Sequence, residues 1–225
     1  MTTESTDSIL TISEKEECLR SRVYIRDFSS SSRSVRLQAL NQIKKLSEPI
    51  AKVILRKILS QQVDPIKQIE VLGAIATCNG KVEGKREFLN DYLSHTNPEI
   101  RLCALRVISK YEDEECFQAL SHATKDSLGD IRKEALNLIC RIYGLRALPF
   151  ILHLLHDLDD SVRKSAISLC STFECEQAVP VLVTMLTDEN LEIQKDVDAA
   201  LRKITKESKA KTMNEWNVWL MDHSV

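Results

Sequence analysis

Glycine and proline are scarce in this chain, five of each among 225 residues, and aromatics make up only 5%. A β-sandwich or a doubly wound nucleotide-binding domain spends more glycine on turns and phosphate loops. The motifs of such enzymes are missing as well: no GxSxG, HExxH or GxGxxG occurs. The stretch "GKVEGKR" at 80–86 imitates a phosphate-binding loop. It is one residue short, lacks the Ser or Thr after the lysine and has no strand before it. There is no CxxC. The seven cysteines, Cys18, Cys78, Cys103, Cys116, Cys140, Cys170 and Cys175, stand at no metal spacing. An odd, scattered set reads as small buried hydrophobes in a reducing compartment. Long apolar runs are lacking too: "ALPFILHLL" at 147–155 contains His153 and is about half a membrane span. The opening "MTTESTDSILTISEKEE" has no basic n-region and does not read as a signal peptide. A net charge of −2 does not advertise nucleic-acid binding. These exclusions lead to the expectation of a cytoplasmic protein without membrane insertion.

What is present is Leu, Ile, Ala, Lys, Arg and Glu, which favour helix, written in a fixed register. Val35, Ile66, Ile100, Ile131, Val162 and Ile193 follow one another at gaps of 31, 34, 31, 31 and 31 residues. The next position holds Arg36, Lys67, Arg101, Arg132, Arg163 and Gln194. Four residues after each anchor come Ala39, Glu70, Ala104, Ala135, Ala166 and Val197, and eight after come Ile43, Ala74, Ile108, Ile139, Cys170 and Leu201. Offsets of zero, four and eight share one helical face, and a small residue at the middle offset lets a neighbouring helix come close. Cap signals precede these helices in "VDP" (63–65), "TNPE" (96–99) and "LDDS" (158–161). A second helix follows each first one. "ALPFILHLLHD" (147–157) repeats as "AVPVLVTMLTD" (178–188), with Pro149 and Pro180 in the first turn and Asp126, Asp157 and Asp188 at the end. Leu152, Val183, Leu155 and Leu186 are its expected buried stripe.

A hairpin of two such helices is marginal alone, and stacking hairpins buries their apolar faces in one core. The expected fold is therefore all-α: a right-handed α-solenoid, a superhelix of about six helical hairpins. Residues 1–12 read as a disordered tail and 13–225 as a single repeat domain. Within it, 14–28 form a leading helix entered through a Ser13/Glu16 capping box, repeats occupy about 30–205, and 206–225 close the array. The three extra residues of the longer gap fall in "CNGKVEGK" (78–85).

The pattern D-x-x-V-R-x-x-A-x-x-x-L … A-x-P-x-L-x-x-x-L-x-D resembles the HEAT-like repeats of the phycobilisome-lyase type over roughly residues 30–205. Repeats four and five match it most closely; Glu70 and Gln194 depart from it. The ending "LRKITKESKAKTMNEWNVWL" is similar to the closing segment of such proteins, and the resemblance implies a covering role for Trp216 and Trp219. It also implies that the recurring Arg and Asp tie one repeat to the next. A bilin lyase-like or phycobiliprotein-associated factor is the activity the resemblance offers, and a coloured chromophore would reveal it.

The opposite stripe of the second helices is the expected binding face. It reads Ile54, Lys57 and Gln61, then Phe88 and Tyr92, then Ala119, His122 and Asp126, then Phe150, His153 and Asp157, then Val181, Thr184 and Asp188. From it Phe88, Tyr92, His122, Phe150, His153 and Thr184 are the candidate partner-binding residues, because an exposed aromatic is costly unless a partner covers it. Arg20, Arg22, Arg26, Lys44, Lys45, Lys52, Arg56 and Lys57, with Arg33 and Arg36, face only Asp27 and Glu48 in their stretch. That basic patch suits an acidic partner or a second copy head to tail. His153 and His156 are spaced for a metal, with His122 and Asp157 as the further candidates, but no complete ligand set is legible. The five histidines precede Thr, Ala, Leu, Asp and Ser, so the His-Glu pairs of the deoxyhypusine hydroxylases, HEAT-type metal enzymes, do not occur. No metal, cofactor or catalytic residue is expected. The expected function is a non-catalytic adaptor or scaffold that docks a protein along the concave face. A HEAT-like nucleic-acid-binding protein is the other alternative, disfavoured by the aspartates on that face. Small-molecule ligands are not expected.

Overall fold

The computed structural model describes residues 22–46, 48–59, 64–77, 87–209 and 212–223. The fold is all-α, an α-solenoid arrangement of helical hairpins, and no strand occurs among the described residues. The chain divides into two compact units, 1–111 and 112–225.

The first unit contains α1 (Arg22–Phe28), α2 (Arg33–Ile43), α3 (Glu48–Leu59), α4 (Pro65–Thr77), α5 (Glu87–Leu93) and α6 (Pro98–Ile108). Helix α1 packs on α2 and buries Phe28. The first helices α2, α4 and α6 pack in sequence. In α6 the register holds: Ile100, Ala104 and Ile108 are all buried, and the Asn97 side chain caps the helix by accepting from the Glu99 amide. In α2 and α4 Ala39, Ile43 and Ala74 are buried as expected, but the anchors depart. Val35 and Ile66 are exposed, and Arg36 turns inward instead. The cause is Glu70, which stands where α6 has a buried alanine. A carboxylate there needs a cation. Arg36 Nε donates to it at 2.8 Å and Nη2 at 3.0 Å, while Nη1 donates to the carbonyls of Ser30 and Ser31. Helix α3 corrects a second expectation. Ala51, Ile54, Leu55, Ile58 and Leu59 form its buried face, so Ile54 belongs to the core and not to an open stripe. The expected leading helix is described only over Arg22–Phe28. The tail at 1–12, Gln61 and the "CNGKVEGK" stretch lie outside the described residues.

The second unit contains α7 (Glu114–Ala123), α8 (Gly129–Tyr143), α9 (Leu148–Leu154), α10 (Asp160–Thr172), α11 (Val179–Thr184), α12 (Leu191–Thr205) and α13 (Met213–His223). First helices α8, α10 and α12 pack side by side. Their anchors Ile131, Val162 and Ile193 are buried, as are the residues four and eight further on. Ala135 and Ala166 are the small residues that permit this approach. Gly129 serves the same purpose at the entry to α8, because a Cβ there would lie 2.1 Å from Asp159 Oδ2. Helices α9 and α11 are entered through 3₁₀ turns at Gly144–Ala147 and Glu176–Ala178. These tighter turns set the helix phase. Leu155 and Val183 are buried as expected, but Leu152 and Leu186 are half-buried, and Ile151, Leu154, Leu182 and Met185 fill the core beside them. The stretch Gly129–Leu154 is apolar and long enough to cross a membrane by composition; here it forms α8, the 3₁₀ turn and α9. Helix α13 packs on α11 and buries Trp216 completely.

Candidate functional site

A polar ladder fixes the turns that carry the candidate face in the second unit. Arg132 Nη1 donates to the Asp126 carbonyl at 2.8 Å, and its Nε donates to Asp157 Oδ2 at 2.7 Å. Arg163 repeats the pattern one hairpin later: Nη1 to the Asp157 carbonyl at 2.7 Å, Nε 3.0 Å from Asp188 Oδ2. Gln194 Nε2 then donates to the Asp188 carbonyl at 2.7 Å. Each aspartate also accepts an amide two residues on, from Leu128, Asp159 and Asn190, at 2.9–3.0 Å. Asp159 and Asn190 cap α10 and α12. Burial alone would raise the Asp157 carboxyl. The Arg132 guanidinium and the Asp159 amide together outweigh it and hold the group below the usual carboxylate range. The recurrent Arg and Asp are thus structural ties between successive turns. Gln194 departs where the ladder stops: it keeps the carbonyl bond, and the position one repeat beyond Asp188 is Trp219.

On this frame His122, His153 and Thr184 are exposed, at equivalent places on α7, α9 and α11. Phe150 is half-buried on the same face. Its ring meets Phe117 edge-on at 5.9 Å, and Phe117 meets Tyr143 edge-on at 5.0 Å. The Arg146 guanidinium lies 3.7 Å above the Phe117 ring, and its Nη2 donates to both carboxylate oxygens of Glu114 at 2.9 and 2.8 Å. The Tyr143 hydroxyl donates to the Asp113 carbonyl, and burial pushes its pKa up. The sequence reading missed Phe117, Tyr143 and Arg146. Phe117 occupies the repeat position of the apolar Leu148 and Val179, so periodicity marks it as core; only the 32-residue spacing of Glu114 and Arg146 hints at a tie.

Tyr92 lies in the first unit, half-buried on α5, where burial raises its hydroxyl pKa; the Phe88 side chain is outside the described residues. Of the basic patch, Arg26 is exposed and paired with Asp27 at 3.1 Å, Lys44 is half-buried, and Lys45 and Lys57 are exposed. Arg20 and the side chains of Arg22, Lys52 and Arg56 lie outside the described residues. Among the described residues no group of three or more His, Cys, Asp or Glu is placed to hold a metal. Burial pushes the Cys140 and Cys170 thiols up to about 12, which leaves them poor nucleophiles at neutral pH. What this face offers is contact: imidazole and hydroxyl groups in a row, beside a ring half covered by its neighbour.

No protein-family model matches the chain, and no curated protein does. Among the solved structures similar to it are three engineered proteins. One, described as an engineered protein, is 17% identical with a TM-score of 0.46, covering 83% of this chain and 97% of that one. A designed armadillo repeat protein in complex with the peptide (KR)4 is 18% identical with a TM-score of 0.44, covering 80% and 98%. A computationally designed armadillo repeat protein for modular peptide recognition is 16% identical with a TM-score of 0.44, again covering 80% and 98%. By its own 31-residue register and its packed helical hairpins, the chain is a helical-repeat protein.

Proposed function

We propose that this chain is a non-catalytic adaptor of HEAT-like repeats that docks a protein or peptide along the second-helix row of His122, His153 and Thr184, with Phe150 as the apolar anchor. The reading rests on one observation: three repeat-equivalent side chains stand exposed on helices whose turns are pinned by the Arg–Asp ladder. A rigid row at a fixed repeat suits an extended partner, because little ordering entropy is lost on the scaffold side. The test is a photo-crosslinking residue placed at 122, 153 or 184, with position 168 on the exposed side of α10 as control. A common partner joined from the three row positions, and not from 168, supports the reading. Phe150→Ala is then expected to weaken that partner by about tenfold with the fold retained. Crosslinks from 168 alone, or unchanged affinity in Phe150→Ala, would overturn it. A coloured chromophore bound to the purified chain would instead favour the bilin-related reading.

A further inference from the structure

A groove of 530 Å³ opens in the second unit between the start of α11, the end of α12 and α13. Val179 and Pro180 of α11 line it, with Thr205, Glu176, and the stacked Trp219 and His223 rings, which lie 4.1 Å apart.

One other repeat of this chain shows what such a place can hold. Two repeats earlier the corresponding space is filled from within by Arg146, stacked on Phe117 beside Tyr143 and paired with Glu114. Two 31-residue steps beyond Glu114 stands Glu176, so the carboxylate is kept. Everything that filled the space is cut back: Val179 stands for Phe117, Thr205 for Tyr143 and Ser208 for Arg146. Three of these four positions line the groove. Lys206 does not replace the lost guanidinium, since its ammonium is held by Glu174 at 2.7 Å. Glu176 has no ion-pair partner among the described residues, and the Trp219 indole supplies the aromatic surface that Phe117 supplies elsewhere.

We infer that this groove takes an arginine side chain presented by a partner protein or peptide. The guest guanidinium pairs with Glu176 and lies against the wall formed by Trp219 and His223. Arginine fits better than lysine because the filled counterpart uses a planar fork, both to stack and to reach two carboxylate oxygens. The groove shares α11 with the proposed docking row, and the two are told apart by their variants: Glu176→Gln acts on the groove, Phe150→Ala on the row.

Tryptophan emission tests this. The chain has two tryptophans, Trp219 in the groove wall and Trp216 buried edge-on against it at 5.8 Å, so a change reports this pair. Titration of the full chain with a capped tetra-arginine peptide is expected to shift the emission, with a dissociation constant on the order of 100 μM. A tetra-lysine peptide should bind about tenfold more weakly, and tetra-glutamate not at all. Glu176→Gln should weaken the arginine peptide about tenfold, with melting temperature and crosslinks from position 153 unchanged. Ser208→Arg restores the internal guanidinium and should block the groove, abolishing the titration while the chain stays folded. No response to tetra-arginine, equal response to tetra-lysine, or undiminished binding by Glu176→Gln would overturn the inference.

Discussion

Arg132 and Asp157 show how much a single pair carries here. Their side chains are 15% and 6% exposed, and the carboxylate serves two neighbours at once: a guanidinium from α8 and an amide of the turn. Truncating one partner would leave the other buried with its charge unanswered. Arg132→Met is therefore expected to cost about 3 kcal/mol, measured by denaturant unfolding at neutral pH. The pair also sets a pH dependence. The folded-state pKa of Asp157 lies below its unfolded value. Its contribution is thus whole above about pH 4 and is lost as pH falls through the folded value. Melting temperatures recorded down to about pH 2 should fall more steeply for the native chain than for Arg132→Met, which has already lost the tie. Parallel curves would mean that the ladder does not govern acid unfolding. Left-handed backbone recurs as well, at Glu112, Gly144, Glu174 and Lys206. Each stands at the close of a first helix or of the turn that follows it, and three of the four carry a side chain where glycine would be freer.

At the scale of the helix, the decisive quantity is the space between first helices. Ala166 is fully buried, with α8 and α12 packed against its helix. Ala166→Arg would force a long charged chain into that space, and a loss of about 3 kcal/mol or more is expected. An unchanged melting temperature would show that these faces do not meet. The same spacing explains what could be read without coordinates. Repeats four and five write anchor, small residue and apolar residue in full, so α8 and α10 were legible in both place and face. In α2 Ala39 and Ile43 are buried as the register implies, but nothing in a linear pattern says that Arg36, and not Val35, will turn inward to meet Glu70. The second helices were legible as helices but not in phase. Leu152 and Leu186 were half-right because a 3₁₀ entry turns the helix by an amount that a period of 3.6 does not contain. Of the candidate site, the exposed row at 122, 153 and 184 followed from the 31-residue repeat alone. The half-covered state of Phe150 did not, since its neighbour Phe117 sits at a different repeat position.

Over the whole molecule, charge is divided along the chain. Residues 1–111 carry 18 basic and 13 acidic side chains, whereas 112–225 carry 13 and 20. The near-neutral total conceals a net of +5 in the first unit and −7 in the second. Opposite charges on two units of one chain favour association of one copy's first unit with another's second. That attraction is screened over about 10 Å at 0.1 M salt. Sedimentation velocity should show larger species at low ionic strength that dissociate as salt is added. Sedimentation that stays the same across the salt series would leave the asymmetry without a role in self-association.

The substitution of Gln194 for arginine, with Trp219 where the next aspartate would fall, has a consequence for how such arrays grow. The relay ends locally, at Gln194, beside the core that Trp216 closes. A hairpin duplicated after α12 would bring its own copy of Asp188 but meet Gln194, which has no guanidinium to pair with it. Returning Gln194 to arginine, together with the inserted hairpin, should restore the tie at the junction.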